Sequence, residues 1–224
     1  MSNEPLVAGS IVQQRYRITE VLGQGGFGIT YKAVQLGSGQ TCCLKELFVT
    51  GASGRNVNGS VSSRSLDGVP FHRFRTAFLE EARAIARLRS PHIVRVISVF
   101  ESNGTAYYAM EMINGKTLDQ EVRQNGPLSV LEALALMVSL TNAVQVVHEA
   151  GMLHKDIKPS NVMLRSNGDP VLIDFGAATD QLASDGAIAF VSRNYSSPEQ
   201  AAGRSVNVAS DIYSLGATFY YLLT

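Results

Sequence analysis

The sequence predicts an α+β chain, an antiparallel sheet with one helix followed by a mainly helical half, and three patterns carry that expectation. Residues 16–47 alternate with the period of strands, placing Ile18, Val21, Tyr31, Ala33 and Leu44 inward around glycine-rich turns at Gly23 to Gly28 and Gly37 to Gly39. Phe78, Ala82, Ile85 and Leu88 recur at helical spacing and put Glu81 on a helix with an apolar stripe. Thr117-Leu118-Asp119-Gln120 and Ser129-Val130-Leu131-Glu132 both have the capping-box form, in which a hydroxyl accepts from first-turn amides and the fourth residue reaches back.

The remaining elements follow in order. Phe48 to Phe74 is rich in Gly, Ser, Asn and Arg and has neither period, which is long for a connection inside a compact domain. It reads as an insertion or mobile loop; its arginines could touch phosphate or a partner, but composition alone favours a solvated flexible loop. Ile93 to Phe100 and Ala106 to Met112 read as strands. The second capping box opens a long apolar helix to about Glu149, ended by Gly151. Val162 to Leu164 and Pro170 to Ile173 read as short strands. Asp211 to Leu223 reads as a buried helix that stops without a cap, so the chain is expected to be truncated at its C-terminus.

Bulk properties narrow the class. With 224 residues and 45% hydrophobic content the chain can bury one or two cores, and a 17% charged fraction is too low for disorder. Nineteen charges of each sign leave no global field for nucleic acid or an anionic membrane. The two cysteines, Cys42 and Cys43, are adjacent and alternate across a strand, which makes them poor disulfide partners and points to a reducing cytoplasm. Met1 to Pro5 lacks the basic start of a signal peptide, and no stretch is expected to match the roughly 18 apolar residues of a membrane helix.

The chemistry sits in His154-Lys155-Asp156, Lys158, Asn161 and Asp174-Phe175-Gly176. Phosphoryl transfer leaves a protein little covalent work: one carboxylate must orient the accepting hydroxyl, and further oxygen ligands must hold the metal ions that neutralise phosphate charge. Asp156, Asn161 and Asp174 suit those tasks, although each alone is an ordinary turn residue. Ahead of them stand Gly23-Gln24-Gly25-Gly26-Phe27-Gly28, Lys45 and Glu81, and behind them Ser197-Pro198-Glu199. A tight hairpin would use three glycines equally well; six elements in this order do not arise by chance.

That ordered set resembles the protein kinase family from Tyr16 to the last residue. The resemblance implies a two-lobed fold. Residues 1–15 would lead in, 16–112 would form the N-lobe with the 48–74 insertion, and 113–224 a partial C-lobe lacking its final helices. It implies an enzyme that transfers the γ-phosphate of MgATP, with Mn²⁺ possible in place of Mg²⁺, to a protein substrate. Gly23, Gly25 and Gly28 would admit backbone amides to the phosphates and Phe27 would shield them. Lys45 would contact the α and β phosphates and pair with Glu81, for which Glu80 is the rival. Met110 would be the gatekeeper, with backbone groups of Glu111 and Met112 on adenine and Cys43 and Met163 sandwiching the ring. Thr30 stands where the family usually has valine over the purine, and Cys43 where it has alanine.

Asp156 would accept the substrate hydroxyl's proton, Lys158 would steady the γ-phosphate, and Asn161 and Asp174 would hold the metals. A lysine at position 158 resembles serine/threonine kinases, and Gly25 to Tyr31 with Pro198-Glu199-Gln200 looks most like bacterial ones. His154, Phe175, Ile85 and Val96 would stack to couple the lobes, and Asp211 would hold the catalytic loop's backbone. Lys155 replaces the family's arginine and cannot make its bidentate phosphate contact. With Thr179, Ser184 and Ser192 as the few hydroxyls of the activation segment, weak dependence on loop phosphorylation is expected. Glu199 would pair with an arginine beyond Thr224, where a regulatory region could also lie. The rival readings are a kinase-like nucleotide or partner-binding module, impaired because its C-lobe is incomplete, and a kinase-fold enzyme acting on a small molecule.

Overall fold

Alternating side chains build the first half into a six-stranded antiparallel sheet of order β1-β2-β3-β4-β8-β7. Its strands are β1 (Ile11–Val12), β2 (Tyr16–Gln24), β3 (Gly28–Gln35), β4 (Thr41–Leu47), β7 (Val96–Ser102) and β8 (Thr105–Glu111). The computed structural model describes residues 4–66, 68–175, 192 and 194–224. They fall into two compact units, one running to Arg87 and including Arg95–Met112, the other formed by Leu88–Val94 and Ile113–Thr224.

Both faces of the first unit's sheet are covered. The register sets Tyr31 opposite Leu44, Leu44 opposite Ala109 and Glu46 opposite Tyr107, so these residues share one face. Leu6, Val12, Phe48 and Val61 pack into the same buried cluster. The alternate residues, Thr30, Lys45 and Tyr108, share the other face, where helix α1 (Phe71–Ile85) lays Phe78 on Tyr108 with ring centroids 5.2 Å apart. The alternation places Val21 inward, but it is 40% exposed. A register shift between Ile18 and Glu20 inserts an extra residue into β2 and sets Val21 opposite Tyr31, but the outer part of that strand stays exposed.

The reading of 48–74 as a solvated loop is overturned. Strands β5 (Ser53–Arg55) and β6 (Val61–Ser63) pair into a hairpin, Phe48, Val49, Ala52 and Arg55 are buried, and α1 already begins at Phe71. Three-residue strands are too short to show a period. The helix start was hidden as well, because Pro70 caps α1 without a side-chain hydrogen bond.

The second unit is built on capped helices. Its helices are α2 (Leu118–Asn125), α3 (Val130–Glu149), α4 (Pro198–Ala201) and α5 (Val208–Leu223), beside a small sheet of order β11-β10-β9. Those strands are β9 (Gly115–Thr117), β10 (Val162–Arg165) and β11 (Pro170–Leu172). Both capping boxes form as the sequence implies: Gln120 N donates to Thr117 Oγ1 at 3.1 Å, and Ser129 N donates to Glu132 Oε2 at 2.9 Å. Gly115 has no room for a Cβ, which would run into the Leu164 carbonyl across β9 and β10.

Helix α3 corrects the expectation that no segment has the dimensions of a membrane span, for it is long and apolar enough by length and composition. Its buried stripe of Leu140, Ala143, Val144 and Val147 instead serves the unit's core, with Leu118, Ile157, Leu172 and Leu215. Helix α5 is amphipathic rather than buried all round: Leu215, Thr218 and Leu222 point inward while Ile212, Tyr213 and Tyr220 are exposed.

Candidate active site

In the first unit, β2 and β3 are joined by the glycine-rich turn, closed by a 2.9 Å hydrogen bond from Gly25 N to the Gly28 carbonyl. The glycines have different reasons to be there. A Cβ on Gly28 would sit 2.8 Å from the Glu46 carbonyl, whereas one on Gly23 would meet nothing within 4 Å and one on Gly25 only the Gly28 carbonyl at 4.0 Å. Gly28 is required by the fold, and the open space at the other two fits a ligand's close approach. Phe27, expected over the phosphates, lies against Phe74 of α1 with ring centroids 6.2 Å apart.

Lys45 and Thr30 are register partners on the face that α1 covers, and the Lys45 ammonium lies 5.8 Å from the Tyr108 ring centroid. Of the two candidate glutamates, Glu81 is buried at 7% exposure and Glu80 is exposed, which favours Glu81 as the residue directed into the unit. Cys43 pairs with Met110 in the ladder, and its thiol donates to Met112 Sδ at 3.2 Å. Glu111 is more committed than the sequence suggests: its amide donates to the Arg95 carbonyl and its carboxylate accepts from the Arg95 amide, both at 2.9 Å. Met163 belongs to the second unit, opposite Thr117 and Val171.

The second unit gathers Asp156, Lys158, Asn161 and Ser192. Asp156 Oδ2 accepts from Lys158 Nζ at 2.8 Å and from Asn161 Nδ2 at 2.8 Å, while Oδ1 accepts from the Ser192 hydroxyl at 2.9 Å. Lys158 also donates to that hydroxyl at 3.0 Å. Asn161 further reaches the backbone carbonyls of Asp156 at 2.9 Å and Asp174 at 3.4 Å, so the two expected metal ligands are neighbours. Gly176, Thr179 and Ser184 lie outside the described residues.

The loop's backbone is strained and held. Lys155 and Asp174 have φ of 69° and 53°, unusual for residues with a side chain. Asp211 of α5 accepts from the amides of His154 at 2.8 Å and Lys155 at 2.7 Å, and His148 Nε2 lies 2.8 Å from it. Gln200 donates to the Lys155 carbonyl at 2.7 Å. His154 is fully buried against Phe175, ring centroids 4.3 Å apart, and burial pushes its pKa down. Its Nδ1 accepts from Asp156 N, which puts the proton of the neutral ring on Nε2 facing the Ile173 carbonyl.

Among the described residues no three His, Cys, Asp or Glu side chains form a metal cluster. The expected Mg²⁺ takes one or two protein oxygens and completes its octahedron with phosphate and water. Asn161 and Asp174 supply such a pair. Glu199, half-buried, accepts a short hydrogen bond from Ser210 Oγ, which pulls its pKa down. Sequence reasoning missed Ser197 as the cap of α4, although Ser-Pro-Glu-Gln is a helix-start signal with proline at the first position. It also missed Glu46 and Arg55, for which a lone glutamate in an apolar strand is the clue.

Comparison with known proteins agrees with this geometry. A family model described as protein kinase domain matches residues 16–224. The probable serine/threonine-protein kinase PknB of Lactococcus lactis is 33% identical over 219 residues, covering 96% of this chain and 32% of that protein. Serine/threonine-protein kinase PknA of Nostoc is 34% identical, covering 96% of this chain and 38% of that protein, so the chain spans about a third of each. Among solved structures, PpkA-294 in its apo form matches 99% of this chain with a TM-score of 0.83 at 31% identity, over 79% of its own length. With its sheet, its capped helices and its Asp156 cluster in the family's order, the chain belongs to the protein kinase family.

Proposed function

We propose that this chain is the catalytic part of a serine/threonine protein kinase that transfers the γ-phosphate of MgATP to hydroxyls of protein substrates. The observation that carries it is the Ser192 hydroxyl on Asp156 Oδ1 at 2.9 Å. It is the contact a substrate alcohol needs: a carboxylate oxygen takes the hydroxyl's hydrogen bond while Lys158 and Asn161 fix the other oxygen. Lys158, within reach of the same hydroxyl, supplies a positive charge where phosphate charge develops. Metal held by Asn161 and Asp174 would neutralise phosphate charge. Lys45 and Glu81 are assigned to phosphate positioning, and Cys43, Met110, Met112 and Met163 to the purine site.

The names of the relatives support serine and threonine as acceptors, and Cys42 and Cys43, neither in a disulfide, support work in a reducing, cytoplasmic compartment. One argument for the binding-module reading is weakened, since Glu199 is half-buried and takes a hydrogen bond from Ser210 Oγ. Incubation with labelled ATP and Mg²⁺ or Mn²⁺ tests the proposal. Label on protein serine or threonine in the wild type, absent from Asp156→Asn and Lys45→Met, supports it. Nucleotide-dependent thermal stabilisation without transfer would overturn it in favour of a binding module.

A further inference from the structure

Residues 46–55 close on themselves. Glu46, at the end of β4, is fully buried, and Arg55 reaches back to it with two hydrogen bonds, at 2.6 Å and 3.1 Å. Tyr31 and Tyr107 each donate to the same carboxylate at 2.6 Å. The rest of the guanidinium donates to the backbone carbonyls of Glu4 at 2.8 Å and Gly59 at 3.1 Å. Such a pair tolerates burial because both charges are hydrogen-bonded throughout. None of this touches the face that bears Lys45, since successive side chains of a strand point to opposite faces.

The closed segment grips the glycine-rich turn. Phe48 N donates to the Phe27 carbonyl at 3.0 Å and Thr50 N to the Gly26 carbonyl at 2.8 Å. The Arg55 guanidinium stacks over the Phe48 ring at 5.1 Å. Ser53 closes the bend between them, its hydroxyl taking the Val49 amide at 3.0 Å and its own amide reaching the Val49 carbonyl at 2.8 Å. The Glu46 carbonyl lies against Gly28. Every link from Arg55 to the turn is therefore a direct contact.

We propose that Arg55 is a positioning residue for nucleotide binding: through Glu46 and Phe48 it fixes residues 48–55, which hold the glycine-rich turn by the carbonyls of Gly26 and Phe27. The proposal rests on the kinase reading for its link to nucleotide. Losing the brace leaves Asp156 and its donors intact, so it acts on affinity and not on the chemical step.

The test combines steady-state kinetics in ATP with amide hydrogen exchange on the nucleotide-free chain, for the wild type, Arg55→Lys and the double variant Glu46→Met with Arg55→Met. The double variant removes both charges together and stays foldable if a lone buried glutamate proves intolerable. Both variants should raise the KM for ATP about tenfold with kcat within about twofold, as misplacement of a binding group does. Exchange at Phe48 and Thr50 should speed up about tenfold, the equivalent of one hydrogen bond lost. A merely structural role would lower the active fraction and kcat while leaving KM alone. Wild-type KM and wild-type exchange in a folded double variant would overturn the proposal. If the wild type neither binds nor uses ATP, the kinase reading fails, and the exchange of Phe48 and Thr50 still decides whether Arg55 holds the turn.

Discussion

Glu46 and Asp156 are both carboxylates with one cationic partner and two neutral donors, yet they do opposite work. Glu46 is 0% exposed, its Arg55 partner 6%, and every acceptor site faces a donor built into the sheet or into β5. Asp156 is 29% exposed and Lys158 25%, and one of its donors is the single hydroxyl of Ser192. A buried, saturated carboxylate exchanges nothing with solvent and holds the chain together. A half-open one with an exchangeable alcohol contact can hand its site to a substrate. The difference lies in access, not in the number of hydrogen bonds.

Substituting each carboxylate site tests that contrast. Asp156→Asn should lower phosphate transfer by about 10²–10⁴-fold with little change in melting temperature, measured with labelled ATP and by calorimetry. Arg55→Met should do the reverse, costing about 3–5 kcal/mol in urea unfolding because Glu46 is left buried without its cation. Equal stability losses in the two variants would break the comparison. Gly28→Ala should cost about 1–3 kcal/mol by pressing on the Glu46 carbonyl, while Gly23→Ala should leave stability unchanged, a difference readable in the same unfolding curves.

The smallest effect is a pH slope from His154. Its folded pKa lies below the ordinary imidazole value of 6.5, so the unfolded chain binds a proton that the folded one refuses. Stability is full above that value and falls as the pH drops through and below it. His154→Phe should flatten the decline in melting temperature seen as the pH falls below the ordinary imidazole value.

The catalytic loop was readable from the sequence because its chemistry is local: Asp156, Lys158 and Asn161 stand within one turn and bond one another. The capping boxes were readable for the same reason. Arg55 was not, since its meaning depends on Tyr31 and Tyr107, which lie far along the chain and meet it only across the folded sheet. Val21 was misplaced because alternation tells which face a residue shares and not whether that face is covered: it pairs with Tyr31, yet the outer end of β2 is exposed. The cap of α4 was legible but hidden behind another motif, since Ser197-Pro198-Glu199 stands out as a member of the ordered set and not for its hydroxyl.

Asp211 gives the catalytic loop a place in time as well as in space. The contacts that hold His154 and Lys155 in their unusual backbone shape span 57 and 56 residues. Closure over such separations is paid before it is rewarded, so the loop reaches its working form only after α5 has docked. During synthesis Asp156 leaves the ribosome well before the residue that shapes its neighbourhood. The loop is then a late-maturing part of the molecule, and the second unit gains its chemistry when its helical core is already assembled.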